Sequence, residues 1–167
     1  MSPLPLVMDS SVLINLHNGG VLDKVFKLPF KFTTTDFIQM ETILDWSLLS
    51  SLGLQVIHFT GPKVLEIEQI NKQKKLGLSI QDISVFVSAR ENKWFVLSDD
   101  KPLRAFSLSN GLTVHGSIWL LDEMIAHHIF NGGNAVLILG LMLLHNARFP
   151  QDICRQKVTQ WSKKKNE

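Results

Sequence analysis

Leu4-Pro5-Leu6-Val7-Met8-Asp9-Ser10-Ser11-Val12-Leu13-Ile14 is the stretch on which the fold turns. Its first five residues are continuously apolar and end at an acid. A strand with one wet face alternates; a strand with no polar side is buried on both faces, as in the centre of a parallel sheet. A short helix over residues 11–17 follows at once, and Asn18-Gly19-Gly20 ends it. Asp9 therefore stands in a strand-to-helix loop.

The same rhythm continues. Residues 31–34 read as a second strand, and Thr34 or Thr35 can cap a helix from residue 36 to about 49, closed by Gly53. Residues 54–59 form a third strand, and Pro62 opens a helix to residue 75. Gly77 breaks it, and Ser79 caps the next, which runs to about residue 91. Residues 94–97 are a fourth strand ending at Ser98-Asp99-Asp100. A helix over 102–108, the turn Asn110-Gly111 and a fifth strand over 112–115 follow. Helices over 117–130, 134–145 and 150 to about 163 complete the chain. Strands alternating with helices make this an α/β protein with a parallel sheet of about five strands. A helical extension over residues 131–167 is expected to pack on the domain of residues 1–130.

The 167 residues, 18.9 kDa, suit one such domain. Hydrophobic residues make up 45%, enough for a sizeable core. The single Cys154 excludes a disulfide framework and a cysteine-based zinc site. The apolar run 135–144 is about half of the ~20 residues that span a bilayer, and the N-terminus carries no signal-peptide pattern. A soluble, cytoplasmic protein with no membrane partner is expected. The net charge of +2 neither demands nor excludes nucleic acid. Between Ala105 and Ala147 only Asp122 and Glu123 are charged, and a basic tail with Lys163-Lys164-Lys165 follows. That tail is either a solvated helix end or a phosphate-contacting arm.

Open parallel sheets bind ligands beyond the carboxyl ends of their strands. Asp9 follows strand one, and Asp99-Asp100 follow strand four. Either could simply cap the next helix. Glu41, on the helix from residue 36, has Phe37, Ile38 and Leu44 at helical spacing, a costly setting for an ion without a partner. The alternative is a side chain at the edge of that face, reaching water. Asp82 completes a Ser79-x-x-Asp82 capping-box pattern but also neighbours Leu78, Val85 and Phe86. If strands one and four are adjacent where the strand order reverses, the four positions converge on one cleft. Clustered carboxylates repel and hold their protons more tightly; a divalent cation relieves that conflict. Oxygen ligands alone suit Mg²⁺ or Mn²⁺, which can activate water for phosphodiester hydrolysis.

Five segments in order carry a resemblance: residues 7–14; Thr34-Thr35-Asp36-Phe37-Ile38-Gln39-Met40-Glu41; Leu78-Ser79-Ile80-Gln81-Asp82; Val96-Leu97-Ser98-Asp99-Asp100-Lys101-Pro102-Leu103-Arg104; and Gly111-Leu112-Thr113-Val114-His115-Gly116. Over residues 4 to about 125 the chain resembles the PIN-domain family of metal-dependent ribonucleases. The resemblance implies a three-layer α/β/α fold and an acidic constellation at Asp9, Glu41, Asp82 and one of Asp99 or Asp100. The Thr-x-Asp form of the family motif, with Ser98 in place of Thr, favours Asp100. The implied activity is Mg²⁺- or Mn²⁺-dependent endoribonuclease cleavage of RNA, with Ser10 and Ser98 as supporting donors and Arg104 beside the acidic loop for phosphates. Many bacterial members are VapC-type toxins held by an antitoxin protein, and such members often form homodimers. The family also contains inactive members, so a catalytically silent protein-interaction module is the alternative. A phosphatase on a similar sheet is a third.

Adjacent His127 and His128 diverge by about 100° on a helix and do not converge on one metal. No nucleophile elbow, P-loop or dinucleotide fingerprint is present. Residues 134–145 are apolar on almost every side. That predicts either a subunit or partner interface or a place beneath the C-terminal helix. Lys72, Lys74 and Lys75 read as a solvated face.

Overall fold

The computed structural model describes residues 3–73 and 77–163. The expected end of the Pro62 helix, Lys74 and Lys75, and the last residues of the basic tail lie outside them. Strand β1 (Leu4–Met8) carries Leu6, Val7 and Met8 with no exposed surface. It pairs in parallel with β2 (Phe30–Thr35) on one side and β4 (Phe95–Leu97) on the other. With β3 (Gln55–Ile57) outside β2 and β5 (Val114–His115) outside β4, the sheet runs β3-β2-β1-β4-β5, all parallel. The strand order reverses between β1 and β4. The unbroken apolar run thus became the central strand, because only that position hides both of its faces. Thr33 and Thr34 donate their hydroxyls to the Leu6 and Met8 carbonyls of β1 at 2.7 and 2.8 Å, so these buried β-branched side chains are satisfied.

Helices cover both sides of the sheet. Helix α1 (Ser10–Asn18) leaves β1, and the short α2 (Leu22–Val25), which the sequence reading did not anticipate, follows it. Thr35 caps α3 (Asp36–Glu41), its Oγ1 accepting from the Ile38 N–H at 3.3 Å. The single helix expected over 36–49 is in fact two. Thr42 is extended, and Asp45 caps α4 (Trp46–Ser51) by accepting from the Leu48 N–H at 2.9 Å. An Asp inside an apolar pattern offered the backbone a new start, and that local bond won over helix continuation. Helix α5 (Gly61–Gln73) packs on α6 (Ile80–Asn92). Every residue of α6 from Ile83 to Ala89 is buried, as its nearly continuous apolarity requires. α7 (Lys101–Ser109) follows β4, and α8 (Ser117–Ala126) follows β5. α8 ends earlier than the expected residue 130, because His128 adopts a left-handed φ of 56°.

α9 (Gly132–Leu144) begins at the Asn131 cap and packs against α1, α8 and α10 (Gln151–Lys163). Ala135, Ile138, Leu139 and Met142 are buried there, while Leu137 and Leu144 stay 68% and 75% exposed. The apolar helix therefore lies beneath α10 yet keeps a bare leucine edge. α10 is fastened by Trp161, 1% exposed, whose indole N–H donates to Asp122 Oδ1 of α8 at 2.8 Å, and by Lys157, which also reaches Asp122. Gly132 lies so close beneath α10 that a Cβ would overlap the Trp161 carbonyl oxygen. A Cβ on Gly140, further along α9, would meet open space. Gly132→Ala should therefore destabilise the protein by about 1–3 kcal/mol through overpacking. Gly140→Ala should stabilise it by roughly 0.5–1 kcal/mol through helix propensity. Urea unfolding of both variants checks the opposite signs.

Candidate functional site

The carboxyl ends of β1 and β4 meet at the strand-order reversal. The Asp9 N–H donates to the Leu97 carbonyl at 2.9 Å, which fixes the two ends together. Asp9 occupies the N-cap position of α1, but its side chain caps nothing; it is 1% exposed and turns inward. Two hydroxyls hold its Oδ2: Ser11 donates at 2.6 Å and Ser98 at 2.8 Å. Oδ1 lies 3.5 Å from the Ser10 hydroxyl, and the Ser10 backbone also donates to this carboxylate. Ser98 thus holds the place expected of it, whereas the close donor beside Asp9 is Ser11 rather than Ser10. Burial pushes the Asp9 carboxyl up to about 6, against the two serine hydrogen bonds and with a smaller push from the charge of Asp82.

Asp82 sits on the first turn of α6. The capping box forms in full: the Ser79 N–H donates to Asp82 Oδ2 at 2.7 Å, and the Asp82 N–H donates to Ser79 Oγ at 3.0 Å. One Asp82 oxygen is therefore committed to the cap. Its carboxyl is raised, mainly by partial burial and last by the charge of Asp100. Glu41 ends α3 and is exposed, with Met40 and Ile43 beside it 76% and 102% exposed. The premise that apolar neighbours strand Glu41 is thus corrected: the break after α3 carries it to the surface end of the helix. Its carboxyl is nevertheless raised, by partial burial first and then by Asp82. The helices carrying Glu41 and Asp82 are joined by a buried hydroxyl pair, Thr35 with Ser84, at 2.7 Å.

The two acids after β4 part company. Asp100 Oδ2 caps α7, accepting from the Leu103 N–H at 3.0 Å, and the charge of Asp100 reaches Asp82. The Asp99 carboxylate turns instead to Asn15, at 2.8 Å, and to the backbone N–H and hydroxyl of Ser117. Arg104 donates to the Ser98 carbonyl at 2.7 Å and so braces the acidic loop from beneath. The sequence pattern assigns no site role to Ser11, Asn15, Gly116 or Ser117. Only the proximity of Ser11 to Asp9 offered a signal; the others meet Asp99 through the fold.

Asp9, Glu41, Asp82 and Asp100 are thus linked electrostatically, with Asp82 at the centre. Among the described residues none of them lies within ion-pair distance of a lysine or arginine. The donor set is oxygen only, and one oxygen each of Asp82 and Asp100 lies outside the cap bonds. This chemistry fits a hard divalent cation. As they stand, no three carboxyl, imidazole or thiol groups among the described residues are gathered closely enough to ligate one ion. No described helix is long and apolar enough to cross a membrane.

The fold has relatives among solved structures. A PilT N-terminus domain protein from the hyperthermophilic archaeon Sulfolobus solfataricus aligns at 16% identity and a TM-score of 0.54, over 75% of this chain and 97% of that one. A protein from Pyrobaculum aerophilum aligns at 16% identity and a TM-score of 0.50, over 74% and 90%. At such identity the likeness is one of fold. No curated protein matches the sequence. The PIN-domain profile matches residues 5–163, from the first strand to the last described residue of α10, and the chain belongs to the PIN-domain family.

Proposed function

We propose that this PIN domain is a metal-dependent endoribonuclease that hydrolyses RNA phosphodiester bonds. The observation that supports it is the linked set of carboxylates, without cationic partners among the described residues, at the strand-order reversal of a PIN-family chain. Repulsion of this kind has a structural cost, and a site retains it where a bound cation offsets it. Asp9, Asp82 and Asp100 would hold Mg²⁺ or Mn²⁺, with Glu41 as a further ligand or as the group orienting the attacking water. The bound ion would supply an activated water at neutral pH and neutralise charge on the scissile phosphate. Ser11 and Ser98 keep Asp9 Oδ2 occupied, which would leave Oδ1 to meet the ion. The exposed end of α3 places Glu41 where a nucleic-acid backbone can approach without unfolding anything. As the toxin of a toxin–antitoxin pair, such a nuclease would be restrained by a partner protein.

A second reading is a silent PIN fold serving as a protein-interaction module. The bare leucine edge of α9, with Leu137, Leu141, Leu143 and Leu144 exposed, favours it. Metal titration separates the two: a nuclease gains thermal stability from Mn²⁺ and cleaves single-stranded RNA with it, and an interaction module does neither.

Asp9→Asn should lower Mn²⁺-dependent RNA cleavage on the order of a thousandfold while leaving the circular dichroism spectrum unchanged. Undiminished cleavage by the purified variant would overturn the mechanism.

A second outcome concerns pH. The folded protein binds the Asp9 proton more tightly than the unfolded chain, with the carboxyl moving from 3.8 to about 6. Stability from this group is therefore present below pH 4 and lost as pH rises through about 6. At ~1.4 kcal/mol per pH unit, the ionised carboxylate costs about 3 kcal/mol at neutral pH without a cation. Asp9→Asn should thus be more stable than wild type at pH 7.5 in a chelator, with the gap closing toward pH 4. Urea unfolding across that range measures it.

A further inference from the structure

Both oxygens of the Asp99 carboxylate are engaged away from the acid cluster. Oδ2 accepts from Asn15 Nδ2 of α1 at 2.8 Å and from the Ser117 hydroxyl; Oδ1 accepts from the Ser117 N–H at 2.9 Å, at the first residue of α8. Asn15 is 8% exposed and Ser117 fully buried, so these donors have little water to fall back on. Gly116 permits the approach, because a Cβ there would overlap Asp99 Oδ1. The backbone of the same loop points the other way. The Asp99 N–H donates to Ser11 Oγ at 2.9 Å, and the Asp100 N–H to Ser98 Oγ at 3.0 Å. Those two hydroxyls are the ones that donate to Asp9 Oδ2. A continuous path therefore runs from α1 and α8, through the Asp99 side chain and the loop amides, to the orientation of Asp9.

We propose that Asp99 is a positioning residue. It clasps α1 and the start of α8 to the β4–α7 loop, and through Ser11 and Ser98 it fixes the orientation of the Asp9 carboxylate by its Oδ2. It is not a ligand of the cluster. The consequence for metal affinity rests on the reading of Asp9 as a metal ligand; the consequence for the geometry of Asp9 does not.

The test uses the full chain, Mn²⁺ as probe, calorimetric titration, and amide hydrogen exchange at residues 9–11. Asp99→Asn presents an amide to the Asn15 donor, and Asn15→Asp sets two carboxylates together. Each single variant should weaken Mn²⁺ binding about tenfold and speed exchange at residues 9–11. The double exchange, Asn15→Asp with Asp99→Asn, restores a donor facing an acceptor and should bring both readouts back to within about threefold of wild type, the coupling expected of direct partners. A ligand role for Asp99 would leave the double variant as impaired as Asp99→Asn, and that result overturns the proposal. So does a fall in melting temperature with Mn²⁺ affinity and exchange at residues 9–11 unchanged. If wild type takes up no Mn²⁺, the nuclease reading fails, and the exchange data alone decide: faster exchange in the single variants, recovered in the double, supports the clasp, and unchanged exchange overturns it. If Asp99→Asn does not fold, Ser117→Ala, which removes one donor, carries the same comparison at smaller amplitude.

Discussion

A buried carboxylate at the end of the central strand is the constraint around which this molecule is arranged. Asp9 has almost no access to water, and its closest hydrogen bonds come from two serine hydroxyls on one of its oxygens. Those hydroxyls stand 87 residues apart in the chain: Ser11 in the helix after β1, Ser98 in the loop after β4. Parallel pairing of β1 with β4 brings them together. The acid, its two donors and the strand-order reversal are therefore a single feature.

Much of this was legible in the amino-acid sequence, and the reason is physical. Leu4 to Met8 has no polar side, so a doubly covered central strand was its only stable place. Residues 80–92 are apolar nearly all round, and α6 is correspondingly the most enclosed helix contact of the sheet. Asp9, Asp82 and Asp100 could be found because each follows a recognisable strand end or cap. What could not be read was any choice between two local bonds of similar strength. α3 stops at Glu41, where Thr42 turns extended, and Asp45 begins a second helix although the periodicity continues, which leaves Glu41 at an exposed helix end. Asp99 and Asp100 are neighbours of one type; the motif resemblance favours Asp100, but the partners of Asp99, Asn15 and Ser117, lie 84 and 18 residues away and are set by the fold. Periodicity carries no information about partners at that separation.

The C-terminal helices belong to the same architecture. Trp161 and Lys157 both address Asp122, and Gly132 lets α10 lie directly on the start of α9. The family match running through residue 163 agrees with that packing. α9 consequently has two characters along one helix, a covered side formed by Ala135, Ile138, Leu139 and Met142 and an open leucine edge.

The order β3-β2-β1-β4-β5 also sets a schedule. The chain emerging from a ribosome can pair β1 with β2 early, but the other flank of β1 stays bare until residues 95–97 have been made. Through that interval Asp9 lacks Ser98, and Asp82 lacks the neighbouring charge of Asp100. Long-range parallel pairing is slow to form, and until β4 has been made a nascent chain carries three of the four candidate acids without the strand that brings the fourth beside them.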